Sequence, residues 1–185
     1  MDPKEYLNDI SDIVQKIPVQ KIEEIVDLLM NAYDSEKQIF LFGNGGSASS
    51  ASHMACDLGK GTVVEGKKRF KVISLSDSIP LMTAYANDYD YEYIFSEQLK
   101  NLVNEGDIAF GLSGSGNSKN VLNALKTAKE KKAITVGLTG FEGGKMASLC
   151  DKCIIVPSDN MQKIEDLHLI ICHTIFSRIR DLLKS

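Results

Sequence analysis

What the sequence lacks excludes several classes of protein. Its 185 residues hold 21 Lys and Arg against 25 Asp and Glu, a formal net charge of −4 at pH 7. This balance disfavours binding of nucleic acid through a general basic surface. No run of about 18 apolar residues occurs, so no membrane-spanning helix is predicted. The first ten residues, MDPKEYLNDI, have no apolar signal-peptide core. We therefore expect a cytoplasmic protein with no nucleic-acid or membrane partner.

Cysteines are few and do not form a metal-binding pattern. Cys56, Cys150, Cys153 and Cys172 occur without an export signal, which disfavours disulfides. Cys150 and Cys153 form a single C-x-x-C pair, whereas a zinc ribbon needs two such pairs. We interpret these cysteines as buried or half-buried thiols. A redox role is the alternative, but no helical pattern follows the pair as a thioredoxin-like motif requires.

The chain has the composition and length of one globular domain. Hydrophobic residues make up 43% and charged residues 25% of it, ordinary values for a folded domain with its own core. No linker, repeat or low-complexity segment interrupts it. We predict a single domain over residues 1–185, with a helical extension over residues 1–36 and an α/β core over residues 37–185.

Hydrophobic periodicity predicts helices first and then an alternation of strands and helices. Two apolar stripes at helical spacing, separated by Pro18, occupy the first 36 residues. Short apolar strands are predicted at residues 38–42, 70–75, 107–112, 133–138 and 152–156. Helices are predicted at residues 47–58, 79–86, 91–103, 119–131, 145–149 and 160–183. This alternation indicates an α/β fold, a three-layer αβα sandwich around a five-stranded parallel sheet.

The last predicted helix is apolar on most of its sides. Its apolar residues are Leu167, Leu169, Ile170, Ile171, Ile175 and Phe176. A helix that is apolar all round is buried, and in a domain of this size we expect burial against another subunit.

Two of the predicted strands end in loops rich in glycine and serine that open a helix. Residues 43–47 are GNGGS and residues 113–118 are SGSGNS. Free backbone N–H groups, serine hydroxyls and the helix dipole favour an anion there, so we predict phosphate binding. A tight turn with a helix cap is the alternative. The first loop also fits G-x-G-x-x-A, but the acidic residue expected about 20 positions on is missing, which disfavours a dinucleotide.

Histidine and acidic residues form two further candidates. His53 and Asp57 are four apart on one helix face, as a metal pair or an acid/base pair would be, or as a solvated face. The last helix carries Glu165, His168 and His173. His173 lies in an apolar stretch, where a histidine satisfied within the core is the alternative. Glu165 and His173 are separated by about 12 Å of helix rise, so spacing alone leaves their pairing open.

These motifs, in this order, resemble those of the sugar isomerase (SIS) domain family, and within it the phosphoheptose isomerases. The matching segments are GNGGS at 43–47, H-x-x-x-D at 53–57, NDY at 87–89, GNS at 116–118, LTGFEGGKMA at 138–147, PSD at 157–159 and IEDLHLIICH at 164–173. The resemblance covers nearly the whole chain and implies a flavodoxin- or Rossmann-like sheet. It also implies a homotetramer whose active sites lie between subunits, with N-terminal helices that pack on a partner.

The resemblance further implies a set of site residues. The phosphate would bind at Ser113, Gly114, Ser115 and Ser118. The sugar would contact Asn44, Gly45, Gly46, Ser47, Asp57, Asn87, Asp88 and Glu165. One Zn²⁺ would be held by His53, Asp57, Glu165 and His173, which suits the ligand preferences of zinc. His168 is interpreted as structural. Three positions depart from the family: Asp57 replaces Glu, Glu165 replaces Gln, and Gly61 replaces Arg.

The activity that the resemblance implies is the isomerisation of sedoheptulose 7-phosphate to D-glycero-D-manno-heptose 7-phosphate through an enediol. Asp57 would be the base that acts on carbon and His173 its acid/base partner. The product would feed the synthesis of nucleotide-activated heptose for lipopolysaccharide, capsule or another surface glycan. The alternatives are an isomerase of another sugar phosphate and a non-catalytic SIS module. Such a module senses a sugar phosphate or acts as a protein scaffold, as in a relative that associates with a replication initiator.

Overall fold

The computed structural model describes residues 2–185, which form eight α-helices and a five-stranded parallel sheet. The strands are β1 (Gln38–Gly43), β2 (Lys71–Ser74), β3 (Ile108–Ser113), β4 (Ile134–Thr139) and β5 (Lys152–Ile155). The helices are α1 (Pro3–Val14), α2 (Val19–Asp34), α3 (Gly46–Cys56), α4 (Ile79–Asp88), α5 (Ser96–Leu102), α6 (Lys119–Glu130), α7 (Met146–Leu149) and α8 (Met161–Lys184). None of these helices is long and apolar enough to cross a membrane.

The strand order β2-β1-β3-β4-β5 confirms the predicted α/β fold. All neighbouring strands are parallel, with Ile39 opposite Ile108 and Ile108 opposite Ile134. The direction of winding reverses between β1 and β3, the flavodoxin-like arrangement. In such sheets the crevice beyond the carboxyl ends of the two strands at the reversal is where ligands bind. Both glycine- and serine-rich loops start there, because Gly43 pairs with Leu112, the residue before Ser113.

The central strands β1, β3 and β4 are covered on both faces, which explains why they are apolar almost throughout, whereas the edge strand β2 leaves Lys71 and Ile73 exposed. In β1, Ile39 and Leu41 belong to one core while Phe40 and Phe42 belong to the other. The first core is closed mainly by α2, α3 and α8, and the second by α5, α6 and α7. Side chains of a strand alternate between faces, so a strand that lies between two helical layers needs apolar residues at every position.

Two predicted helices are interrupted. The helix predicted at 91–103 is a 3₁₀ turn (Tyr91–Tyr93) followed by α5. The helix predicted to end at residue 58 ends its α-helical part at Cys56 and continues as a π-helical turn over Asp57–Gly61. Gly61 packs so closely on Phe176 that an added Cβ would lie 2.7 Å from two ring carbons. The arginine that the resemblance implies at this position therefore could not fit without movement of Phe176.

The N-terminal helices differ in how they pack. Ile25 and Leu29 of α2 are fully buried in the core of their own chain. No residue of α1 is buried, and Leu7 is 66% exposed. Two polar contacts hold α1 on α8. The Tyr6 hydroxyl donates a hydrogen bond to Asp166 over 2.6 Å, and Lys163 forms an ion pair with Asp9. Packing of these helices on a partner subunit stays a prediction.

Only part of the apolar surface of α8 is covered within this chain. Leu167, Ile171 and Ile175 are fully buried, whereas Ile170 is 37% exposed. Burial of α8 against another subunit stays a prediction, and it applies to the side of the helix that carries Ile170.

Candidate active site at the carboxyl ends of β1 and β3

The loop after β3 has a conformation that depends on glycine. Gly116 adopts a φ of +63°, and its amide donates to Ser113 O over 3.0 Å. A Cβ at Gly116 would collide with the carbonyl oxygen of Gly143. The hydroxyl oxygens of Ser113 and Ser118 lie 3.0 Å apart. Ser118 precedes α6 but does not cap it through its side chain.

The segment after β4 binds the carbonyl oxygens of this loop. The amide of Gly140 donates to Gly114 O over 2.9 Å, and the amide of Met146 donates to Gly116 O over 3.0 Å. In contrast, the amides of Ser115, Lys119 and Asn120 donate to no atom of residues 2–185. The loop therefore presents N–H groups and hydroxyls at a helix N-terminus, which is the chemistry of an anion site.

A cavity of about 200 Å³ lies between the two loops and α8. Its lining residues are Asn44, Ser47, Leu112, Ser113, Gly114, Ser115, Ser118, Met161 and Glu165. Seven of these nine were predicted from the sequence as site residues; Leu112 and Met161 were not. Gly46 leaves room for the Glu165 side chain in the cavity, because a Cβ at residue 46 would collide with the Glu165 carboxylate. Gly45, with φ +55°, allows the chain to turn into α3.

A second cavity, of about 390 Å³, adjoins the first and shares Asn44 and Ser118 with it. Its other lining residues are Asp90, Tyr91, Glu92, Lys119 and Asn120. None of these five was predicted from the sequence. A weak signal existed for Asn120, a polar residue in the first turn of the helix that the phosphate loop opens.

Asn87 and Asp88, predicted to line the sugar, precede the segment of Asp90 and Tyr91 that lines the second cavity. They end α4, are exposed, and bond to each other over 2.8 Å between Asn87 Nδ2 and Asp88 Oδ1. Neither is among the lining residues of the two cavities.

His53, Asp57 and His173 form a compact group, here called the His–Asp–His cluster. Asp57 Oδ2 lies 3.7 Å from Nε2 of each histidine, and the two Nε2 atoms are 3.3 Å apart. One ligand atom from each of the three side chains lies within 4.8 Å of the other two, which is close enough for them to hold one metal ion. Among residues 2–185, no other group of His, Cys, Asp or Glu side chains has this arrangement. The side chains of the histidines are about half exposed and Asp57 is 19% exposed, so the cluster is open to a ligand.

Glu165, the fourth predicted zinc ligand, is not part of this cluster. Its carboxylate lies against Gly46 in the smaller cavity. The reason is the helix geometry noted above, since eight residues of α8 separate Glu165 from His173. The predicted ligand set is therefore divided in this structure between the cluster and the cavity.

Two further titratable side chains of α8 lie in the core. Burial raises the pKa of the Cys172 thiol to about 12, so it is neutral at pH 7 and carries no thiolate. His168 is 1% exposed, and its burial lowers its pKa to about 4. His168 is therefore a neutral core residue.

Comparison with known proteins identifies the family. Residues 5–140 match the model of the SIS domain. The phosphoheptose isomerase of Sulfurimonas denitrificans is 41% identical over 157 residues, 85% of this chain and 80% of the relative. The probable phosphoheptose isomerase of Thermoplasma acidophilum is 36% identical over 97% of this chain and 98% of its own length. The solved phosphoheptose isomerase of Neisseria gonorrhoeae superposes with a TM-score of 0.89 at 29% identity, covering 95% of each chain. That of Francisella tularensis superposes with a TM-score of 0.90 at 26% identity, covering 96% of each. The chain therefore belongs to the SIS domain family and, within it, to the phosphoheptose isomerases.

Proposed function

We propose that this protein is an aldose–ketose isomerase that converts sedoheptulose 7-phosphate to D-glycero-D-manno-heptose 7-phosphate through an enediol. The observation that carries the proposal is that α3 and α8 each run from the anion-binding cavity to the His–Asp–His cluster. The relatives named phosphoheptose isomerases support the same activity.

The distance between the two parts of the site suits a long sugar. Gly46 and His53 are seven residues apart on α3, and Glu165 and His173 eight apart on α8, which correspond to helix rises of about 10 and 12 Å. An extended chain advances about 1.2 Å per bond. The eight bonds from phosphorus to C1 of a heptose 7-phosphate thus span roughly 10 Å, whereas a pentose 5-phosphate spans about 7 Å. The longer substrate can reach both parts at once.

Each part of the site has its own role in the reaction. The loop over Ser113–Ser118 binds the phosphate through N–H groups and hydroxyls, and this remote binding energy positions the reacting carbons. Asp57 removes the proton from one carbon and returns it to its neighbour, through a carboxylate oxygen. His173 moves protons at the sugar oxygens through the ring nitrogen that does not hold the metal. Glu165 lines the cavity, where it accepts hydrogen bonds from sugar hydroxyls.

Zn²⁺ is the cofactor we propose, held by His53, Asp57 and His173. Two imidazole nitrogens and one carboxylate are a ligand set that zinc takes at catalytic sites, where one position stays open. When bound, the ion would polarise the substrate carbonyl as a Lewis acid. Metal analysis of the protein and of His53→Ala tests this: we expect about one zinc per chain in the unaltered protein and a large loss in the variant.

The activity is tested by NMR of purified protein with sedoheptulose 7-phosphate and added Zn²⁺. We expect aldose signals to appear, and Asp57→Asn and His173→Ala to lower the rate by at least about 100-fold. Lys126→Ala, an exposed position on α6, is the control and should leave the rate unchanged. Absence of turnover at saturating substrate would contradict the proposal, and binding without turnover would favour a non-catalytic SIS module.

A panel of hexose and pentose phosphates tests the choice of sugar. Asp57 is one methylene shorter than the Glu of the family, and displacement by about 1 Å can change a rate by about 100-fold. If the heptose is the substrate, its kcat/KM should exceed those of the shorter sugars. A larger value for a hexose or pentose phosphate would reassign the substrate.

A homotetramer with sites between subunits is the assembly we propose. It is supported by the exposed apolar residues Leu7, Val19 and Ile170. It is also supported by the absence of Asn87 and Asp88 from the lining of the two cavities of their own chain. Light scattering should give about four times the 20.3 kDa chain mass; a monomer would contradict it. We further propose a cytoplasmic location, in line with the free cysteines, and a role in heptose supply for a surface glycan.

A further inference from the structure

Asn44 and Asn120 form a reciprocal amide pair beside both cavities. Asn44 Nδ2 donates to Asn120 Oδ1 over 2.9 Å, and Asn120 Nδ2 donates to Asn44 Oδ1 over 2.8 Å. Asn120 is 2% exposed. Asn44 begins the loop after β1 and Asn120 lies in the first turn of α6, so the pair joins the two loops of the site.

One backbone group determines which way round both amides lie. The amide N–H of Val121 points at Asn120 Oδ1 over 3.0 Å. A backbone N–H can only donate, so the atom it faces must be the oxygen of Asn120. The reciprocal pairing then requires that Asn44 directs its own oxygen at Asn120 Nδ2.

The Asn44 oxygen has no capacity left for a ligand. It accepts from Asn120 Nδ2 and also from the hydroxyl of Tyr91, over 3.0 Å. One proton of Asn44 Nδ2 is used in the pair, and the second is free. Because Asn44 lines both cavities, the one hydrogen-bonding group that it offers there is an N–H donor.

We propose that Asn120 is a positioning residue, which holds Asn44 as a hydrogen-bond donor to an oxygen of the bound sugar phosphate. The proposal rests on the proposed function for the identity of the ligand. A donor fixed before the ligand arrives needs no reorganisation when negative charge develops on a sugar oxygen. Without Asn120, the Asn44 amide could rotate and present its oxygen instead. Asn120 itself is too buried to be the main contact.

A double-mutant cycle distinguishes this role from a general structural one. We expect Asn120→Ala to lower kcat/KM for sedoheptulose 7-phosphate by about 10-fold, the effect of one hydrogen bond. In the background of Asn44→Ala, the same change should cost less than about 2-fold, because its target is gone. An equal loss in both backgrounds would overturn the proposal. Lys126→Ala is the matched control, since Lys126 is an exposed residue of the same helix; it should change kcat/KM less than about 2-fold.

A second measurement needs no enzymatic activity. In NMR spectra of the unaltered protein, we expect the two side-chain Nδ2 protons of Asn44 to exchange with water at different rates, the paired proton more slowly. In Asn120→Leu, which keeps roughly the shape of the side chain should the alanine variant fail to fold but has no acceptor for Asn44 Nδ2, that slow exchange should be lost. Slow exchange retained in Asn120→Leu would overturn the pairing. If the variant loses the slow exchange but neither the unaltered protein nor any variant turns over the substrate, the amide pairing stands and only the isomerase activity is contradicted.

Discussion

The buried His168 should make the stability of this protein depend on pH. Its imidazole is 1% exposed, and within residues 2–185 neither ring nitrogen makes a well-formed hydrogen bond; the Thr139 backbone offsets only part of the effect of burial on its pKa. Burial lowers its pKa from 6.5 to about 4. A difference of this size corresponds to about 3 kcal/mol of free energy of unfolding.

The direction follows from which state binds the proton. Between pH 6.5 and pH 4 the unfolded chain protonates His168 while the folded chain does not, so acid favours the unfolded state. The free energy of unfolding should therefore fall as the pH drops through this window. Below about pH 4 both states carry the proton and the loss stops. His168→Leu removes the titrating group and should abolish this part of the pH dependence.

Urea unfolding, followed by circular dichroism, measures the effect. The protein and His168→Leu are compared from pH 7.5 to 4.5, with a chelator and at one protein concentration, so that metal binding and assembly do not differ. We expect parallel curves above pH 7, and at pH 4.5 a relative loss of about 2 to 3 kcal/mol for the unaltered protein. Curves that stay parallel down to pH 4.5 would refute the assignment of His168 as a neutral core residue.

Three further predictions concern the loops and helices of the site. Gly116→Ala should lower the free energy of unfolding by more than the roughly 1 kcal/mol expected for a positive φ alone, and weaken binding of inorganic phosphate in calorimetry; Gly66→Ala, at φ +76° in open space, is the control. Glu165→Gln removes a negative charge from the phosphate cavity and should lower KM several-fold with little change in kcat. An unchanged KM would contradict the placement of the Glu165 carboxylate beside the bound phosphate. Lys163→Met breaks the ion pair with Asp9 and should raise hydrogen exchange in residues 3–14; unaltered exchange there would show that other contacts hold α1.

The architecture could be predicted from the sequence because it depends on local patterns. The alternation of apolar strands with helices indicated five parallel strands, and the glycines of the loops marked the two strand ends that carry the site. Interruptions were harder to foresee. The helix predicted at 91–103 starts as a 3₁₀ turn, and the end of α3 widens into a π-helical turn where Gly61 meets Phe176. That contact joins residues distant in sequence.

The site was predictable where its residues are adjacent in the chain. His53 and Asp57 share a helix face, and the serines of the phosphate loop are consecutive. The separation of Glu165 from the cluster follows from helix rise, yet only the packing of α8 shows which side of the site Glu165 occupies. The pairing of Asn120 with Asn44 joins residues 76 positions apart, and no single-sequence pattern indicates such a contact.

The arrangement of α3 and α8 also limits how this family could change its substrate. Both helices start at the anion-binding cavity and reach the His–Asp–His cluster about two turns later. Inserting or deleting one helical turn would move the cluster by about 5.4 Å, close to the length of four carbon–carbon bonds. A change in side-chain length at position 57 could therefore adjust the accepted sugar length in small steps. A change in helix length would move the cluster too far to suit a sugar that is one carbon shorter or longer.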